Sequence, residues 1–202
     1  GTQFFGGGTR YGNITLTQAG YPVSQFYGYK ILGFYESATD VTNYKGITGE
    51  REGMTVLPLS IGTDAALIPE QWIGKYIFED VNGDGRINAS DKTVIGSPHP
   101  DFTGGINLGL TYKNFDLSAF FYTCVGNDIY NQNRWWPDFQ SQDGNRSTRM
   151  RDYSWEPGKT NALLPILDAN DIVSNNAATS YLVENGSYLR LQTLNLSYTF
   201  PK

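Results

Sequence analysis

Twelve consecutive residues, Asp80-Val-Asn-Gly-Asp-Gly-Arg-Ile-Asn-Ala-Ser-Asp91, have the spacing of a loop that wraps a hard cation. Side-chain oxygens fall at loop positions 1, 3, 5 and 12, on Asp80, Asn82, Asp84 and Asp91. Arg86 at position 7 offers its backbone carbonyl, Asn88 at position 9 can act through a water, and Gly85 sits where such a loop must turn sharply. Calcium takes six or more oxygens, and this spacing gathers them round one point. The sequence therefore predicts a structural Ca2+ site on Asp80, Asn82, Asp84, Arg86 and Asp91, with no reacting group beside it. Asp91 stands where glutamate is usual, one methylene short of easy bidentate binding. The alternative is an Asx- and Gly-rich turn that holds no ion.

No other constellation competes with this one. A single histidine and a single cysteine leave a catalytic triad or a His/Cys zinc site little to draw on. Acids are plentiful, but nothing in their spacing selects a pair for general acid–base work. The net charge of −5 is wrong for nucleic acid, which needs basic patches. The chain thus reads as a non-enzyme. Four aromatic residues in the polar second half, Trp135, Trp136, Tyr153 and Trp155, are candidates for stacking on sugar rings or packing against a partner. The bland reading is that they pack among themselves.

An EF-hand or dockerin loop runs on into an amphipathic helix. Here the chain instead passes through Lys92–Pro100 and then alternates apolar and polar residues. Phe102, Gly104, Ile106, Leu108, Leu110 and Tyr112 share one face, and Thr103, Gly105, Asn107, Gly109 and Thr111 the other. Lys113-Asn114 makes a two-residue turn, and 115–123 returns with Phe115, Leu117, Ala119 and Phe121 opposite Asp116, Ser118, Phe120 and Tyr122. Alternation resumes over 188–200, with Leu194, Leu196, Tyr198 and Phe200 on a face. Each arm is about ten residues, enough to cross a bilayer when tilted in a barrel. Tyr112 and Phe115 flank the turn, where an aromatic girdle would sit.

The 202 residues are 17% charged and 14% aromatic, with 23 glycines, which suits a sheet protein that shows apolar surface. Residues 12–17 and 25–35 read as further strands. The stretches 37–75 and 124–186 lack clear periodicity and read as long loops, and loops of that length are usually functional. Short turns at one end and long loops at the other is the asymmetry of outer-membrane barrels. A half-buried hairpin of a soluble sandwich gives the same alternation. Two function classes therefore stand side by side: a transporter barrel segment, and a soluble secreted β-domain that binds carbohydrate or a protein and is braced by calcium.

Several segments, in order, resemble the SusC/RagA type of TonB-dependent outer-membrane transporter. They are Ala19–Lys30, Phe78–Gly85, Ile95–Gly105, Tyr112–Ser118, Gly126–Tyr130, Gly186–Leu191 and Tyr198–Pro201. The resemblance implies an all-β, antiparallel segment of a transmembrane β-barrel with long extracellular loops. The family's barrel has roughly 22 strands round an internal plug. Residues 1–202 would form part of the C-terminal half, without plug, TonB box or final strands, and with 80–91 as a calcium-type loop inside it. The resemblance further implies a place in the cell outer membrane of a Gram-negative bacterium, in contact with membrane lipid. A SusD-like lipoprotein would be the lid, TonB would engage a missing N-terminal part, and oligosaccharide or peptide would be the cargo.

Overall fold

The computed structural model describes residues 2–6, 12–44, 58, 68–139, 145–168 and 177–201. Two compact units emerge, Gly1–Gly96 with Tyr130–Val183, and Ser97–Ile129 with Glu184–Lys202.

The second unit is the simpler. Its three long strands are β7 (Phe102–Tyr112), β8 (Phe115–Val125) and β11 (Tyr188–Tyr198), each of 11 residues. They form an antiparallel sheet with β8 in the middle. The expected hairpin is present, turning at Lys113-Asn114, with β8 running two residues past the predicted end. Its register pairs Leu108 with Ala119, Leu110 with Leu117 and Tyr112 with Phe115. On the other side Leu194, Leu196 and Tyr198 meet Ala119, Leu117 and Phe115. One face of the sheet is therefore a continuous apolar surface. The opposite face carries Thr111 beside Asp116 and Ser118 beside Asn195, joined by hydrogen bonds of 2.7 and 3.4 Å.

Strict alternation would send Leu191 and Leu194, three residues apart, to opposite faces. The ladder steps from Leu191–Phe121 to Thr193–Phe120, so Gln192 is an extra residue in a β-bulge. That single insertion keeps Leu189 and Leu191 on the same face as Leu194 and Leu196.

The first unit contains a four-stranded sheet in the order β1 (Gln3–Gly6), β2 (Thr15–Gln18), β3 (Gln25–Gly28), β6 (Thr93–Gly96). Beside it β4 (Ile31–Phe34) pairs with β5 (Tyr76–Phe78). Short strands β9 (Asp128–Tyr130) and β10 (Val183–Asn185) also pair. The aromatic-dense run 25–35 is thus two strands in two sheets. The break at Tyr29 admits residues 178–180: Tyr29 N–H donates to the Ala178 carbonyl at 2.8 Å, and Ser180 N–H to the Tyr29 carbonyl at 3.0 Å. Gly28 makes room, since a Cβ there would sit 2.4 Å from the Ala178 oxygen.

The stretches expected to be loops turn out to supply the core. Tyr44, Trp135, Phe139, Met150, Leu164, Ala178 and Leu182 pack with Tyr29, Tyr76, Phe78 and Ile87. Residues 37–44 include a one-turn helix, α1 (Ala38–Thr42), closed by a capping box between Ser37 and Asp40. Helices α2 (Trp135–Asp138) and α3 (Thr148–Tyr153) lie in the polar second half. Apolar side chains at irregular spacing, not periodic ones, do the packing here, so the pattern alone reads as loop.

Candidate functional site

Strand β5 delivers the chain into the 80–91 loop, a 3-10 turn over Ala89–Asp91 closes it, and β6 follows. The sequence implies β-structure and not a helix after the loop, but from 102 onward; β6 starts nine residues sooner, at Thr93. Asp80 and Asp91 are 2% and 0% exposed. Asp80 accepts from Gly83 N–H (2.6 Å) on Oδ1 and from Gly85 N–H (3.0 Å) on Oδ2. Both glycines hold positive φ, +69° and +82°, which side-chain-bearing residues adopt at a cost. Asp84 accepts from Arg86 N–H (2.8 Å) and from the Asn82 and Asn88 amides (3.1 and 3.4 Å). Asp91 takes Val81 N–H (3.1 Å) and Asn82 N–H (3.5 Å) on one oxygen and Asn88 N–H (2.8 Å) on the other. The Arg86 carbonyl accepts from the Asn88 amide at 3.4 Å. The five predicted ligand residues thus lie in one hydrogen-bonded loop.

The electrostatics are unbalanced. Among the described residues, no lysine or arginine forms an ion pair with Asp80, Asp84 or Asp91. Burial pushes the Asp91 carboxyl up, against two backbone N–H bonds that pull it down, and repulsion from Asp80 and Asp84 adds to the rise. Asp84 moves the other way, held down chiefly by Arg86 N–H. The acids do not converge, however: among the described residues no three His, Cys, Asp or Glu side chains group as a metal cluster. Their oxygens are turned toward backbone N–H groups instead.

Two buried polar residues carry no clear signal in the sequence, Tyr44 at the entry to the loop and Asp138 in the polar second half. Tyr44 is fully buried, and its hydroxyl donates to the Phe78 carbonyl while accepting Asp80 N–H at 2.8 Å. One side chain, 36 positions earlier, thereby fixes the entry to the loop. Burial pushes its phenol up to about 12. Asp138, also buried, accepts from the Ser147 and Tyr181 hydroxyls, the latter at 2.7 Å, with Arg149 at 3.6 Å. An acid inside the run Trp135-Trp-Pro-Asp-Phe139 was the available signal for it; Tyr44 had none.

The aromatic candidates separate. Trp135 is 1% exposed and Trp155 is buried too, so neither presents a face to a sugar. Both were expected as possible stacking platforms, and large apolar area drew them into the core instead. Trp155 packs so closely on Gly74 that a Cβ there would lie 2.5 Å from its ring. Tyr153 is half-buried, and its carbonyl accepts from Leu163 and Leu164 N–H. Trp136 is 52% exposed, with its ring set edge-on to Trp135 at 4.6 Å. It is the member of the four that can offer an open face.

No protein-family model matches the sequence. Individual relatives do. The chain is 30% identical over 187 residues to TonB-dependent receptor P3 of Formosa agariphila, covering 93% of this chain and 16% of that protein. It is 29% identical over 124 residues to TonB-dependent receptor SusC of Bacteroides thetaiotaomicron, covering 61% of this chain and 12% of SusC. In fold it is similar to the RagAB peptide importer in its open-open state, with a TM-score of 0.60 at 22% identity. That match covers 98% of this chain and 18% of the importer chain. The chain therefore spans about a sixth of the length of the first of these relatives. The relatives are named as receptors and transporters, not enzymes. In sequence the chain belongs with the TonB-dependent receptors, SusC among them, and in fold it matches a stretch of the RagAB importer.

Proposed function

We propose that this chain is part of the wall of an outer-membrane transporter that imports oligosaccharides or peptides. The observation that carries the reading is the sheet β7–β8–β11. Its eleven-residue strands have the length of tilted barrel crossings, and its leucine face is bare, with Leu108 56% and Leu196 70% exposed. A soluble domain does not leave three rows of leucine and phenylalanine in water. Lipid fits the apolar face, and a wet lumen fits the face of Asn107, Thr111, Asp116, Ser118 and Asn195. A SusD-like lipoprotein lid and energy from TonB are the partners implied by the family. Trp136 is the aromatic side chain best placed to touch a sugar ring or the lid. No step of catalysis is assigned to any residue.

Spin labels at positions 108 and 117 of the intact parent, reconstituted in liposomes, test this. Relaxation by lipid-soluble oxygen with little effect of a water-soluble nickel reagent is the expected result. The opposite pattern, or protection from both reagents, returns the soluble, secreted binding domain to first place.

The same reading gives the 80–91 loop a bound calcium as a brace. In chemistry the donors suit it, being all oxygen, and buried carboxylates without a cationic partner call for a cation; to converge on one, the acids have to turn from the backbone N–H groups they accept from. A carboxylate has about four acceptor sites, so two backbone N–H bonds on Asp80 and three on Asp91 leave acceptor capacity on both. Asp80, Asn82, Asp84, Asp91 and the Arg86 carbonyl would hold the ion. Calorimetric titration with calcium, with EDTA-treated protein as reference, tests it; a silent titration removes the ion and leaves an Asx-rich turn.

A further inference from the structure

Lys113 occupies the first position of the β7–β8 turn with φ of +53°, in the left-handed region. Asn and Gly take that conformation readily, and hairpin turns of this length favour them. A long cationic side chain is not what the turn geometry asks for. The ammonium lies 5.4 Å from the centre of the Tyr112 ring. Among the described residues no carboxylate pairs with it; Asp116, the nearest acid in sequence, takes the Thr111 hydroxyl at 2.7 Å.

Around the same end of the sheet stand exposed rings: Tyr112, Phe115, Tyr198 and Phe200. Phe115 and Tyr198 are 4.7 Å apart, and Tyr198 and Phe200 4.9 Å. Tyr112, Phe115 and Tyr198 are register partners, so they share the apolar face. The next row inward is Leu110, Leu117 and Leu196. The order from strand to tip is thus leucine, aromatic ring, ammonium. That is the order of chemistry met on leaving a bilayer: acyl chain, headgroup region, phosphate.

We propose that Lys113, with Tyr112 beside it, is a contact point for the phosphate of an anionic lipid headgroup. The inference rests on the barrel reading above. The shared chemistry is a phosphate anion. Lipid is the source because a single exposed ammonium holds a free ion poorly, whereas acyl chains on the leucine rows anchor a lipid beside it.

The test uses the intact parent in nanodiscs of phosphatidylcholine or of phosphatidylcholine with phosphatidylglycerol, with retained lipid read by native mass spectrometry. Wild type should retain phosphatidylglycerol over phosphatidylcholine by about fivefold, the preference one lysine near an anionic surface confers. Lys113→Gln and Lys113→Gly should both fall to near parity. Lys113→Gly relieves the left-handed strain, so it should melt no lower than wild type while losing the preference, which separates lipid binding from turn stability. A variant that keeps the full preference overturns the proposal. So does an equal thermal shift from inorganic phosphate in detergent, which would mark a free-anion site. A spin label at 108 in the same samples reports membrane exposure, so failure of the barrel reading is seen separately from failure at Lys113.

Discussion

Two single-residue deletions in the same sheet should have opposite outcomes. Gln192 is the unpaired residue of the bulge, and Leu191 and Thr193 flank it with partners Phe121 and Phe120 already adjacent in β8. Removing Gln192 leaves Leu189, Leu191, Leu194 and Leu196 on one face in plain alternation. The cost should stay under about 1 kcal/mol, the loss being local twist and not burial. Gly109 lies in an unbroken ladder, facing Ser118. With the turn holding 110–112 in place, its removal slips 102–108 by one, and a one-residue slip exchanges faces. Phe102, Ile106 and Leu108 then leave the apolar face. At about 1.5–3 kcal/mol for each of the three side chains, the loss is about 4.5–9 kcal/mol. Gly109→Ala is the control, because a Cβ there meets nothing within 4 Å. Urea unfolding of the intact parent in detergent, followed by tryptophan fluorescence, gives the three values. If the Gln192 deletion proves as damaging as the Gly109 deletion, the bulge assignment and the phase argument built on it are wrong.

Tyr44→Phe strips the hydroxyl from between the Phe78 carbonyl and Asp80 N–H, leaving both unsatisfied in the interior. It should cost about 1–3 kcal/mol by denaturant midpoint. Trp135→Ala should cost about 3–5 kcal/mol in the same assay, whereas Trp136→Ala should stay within about 0.5 kcal/mol because its ring is largely outside the core. Asp80→Ala and Asp84→Ala should each abolish the calcium heat in calorimetry; variants that titrate like wild type would dissociate the loop from the ion.

The three long strands are readable from the sequence because each repeats the same inside–outside choice some ten times. The two-residue turn then leaves no freedom in register. The bulge too is written there, in the step from Leu191 to Leu194, although alternation alone does not say which residue is spare. The 80–91 loop was legible for a different reason: apart from the Tyr44 contact, its hydrogen bonds run between residues at most 10 apart, so spacing along the chain nearly determines spacing in space. The core of the first unit obeys neither rule. Tyr29, Tyr44, Leu164 and Leu182 lie far apart in the chain and share no period, so their association is decided by tertiary contact alone. Trp135 and Trp136 are chemically identical neighbours in the sequence. One is in the core and the other in solvent because a single turn of α2 can bury only one side.

The intervening stretch between β8 and β11 has a bearing on the order in which the sheet can assemble. Strand β7 reaches β8 through a two-residue turn, but β11 arrives only after residues 126–187. In the unfolded chain, closing so long a segment costs about 3 kcal/mol more than closing the turn. The hairpin can therefore form early, while the third strand is held back. Within the first unit, Asn131 N–H donates to the Leu182 carbonyl at 2.7 Å, so the two ends of that excursion are tied together once the unit has folded. The entropy of the long closure is then already spent on burying Trp135, Leu164 and Leu182, and β11 joins β8 as if across a short connection. Folding of the compact unit becomes a kinetic gate on completing the sheet, which keeps the leucine face of β11 from being presented in register too soon.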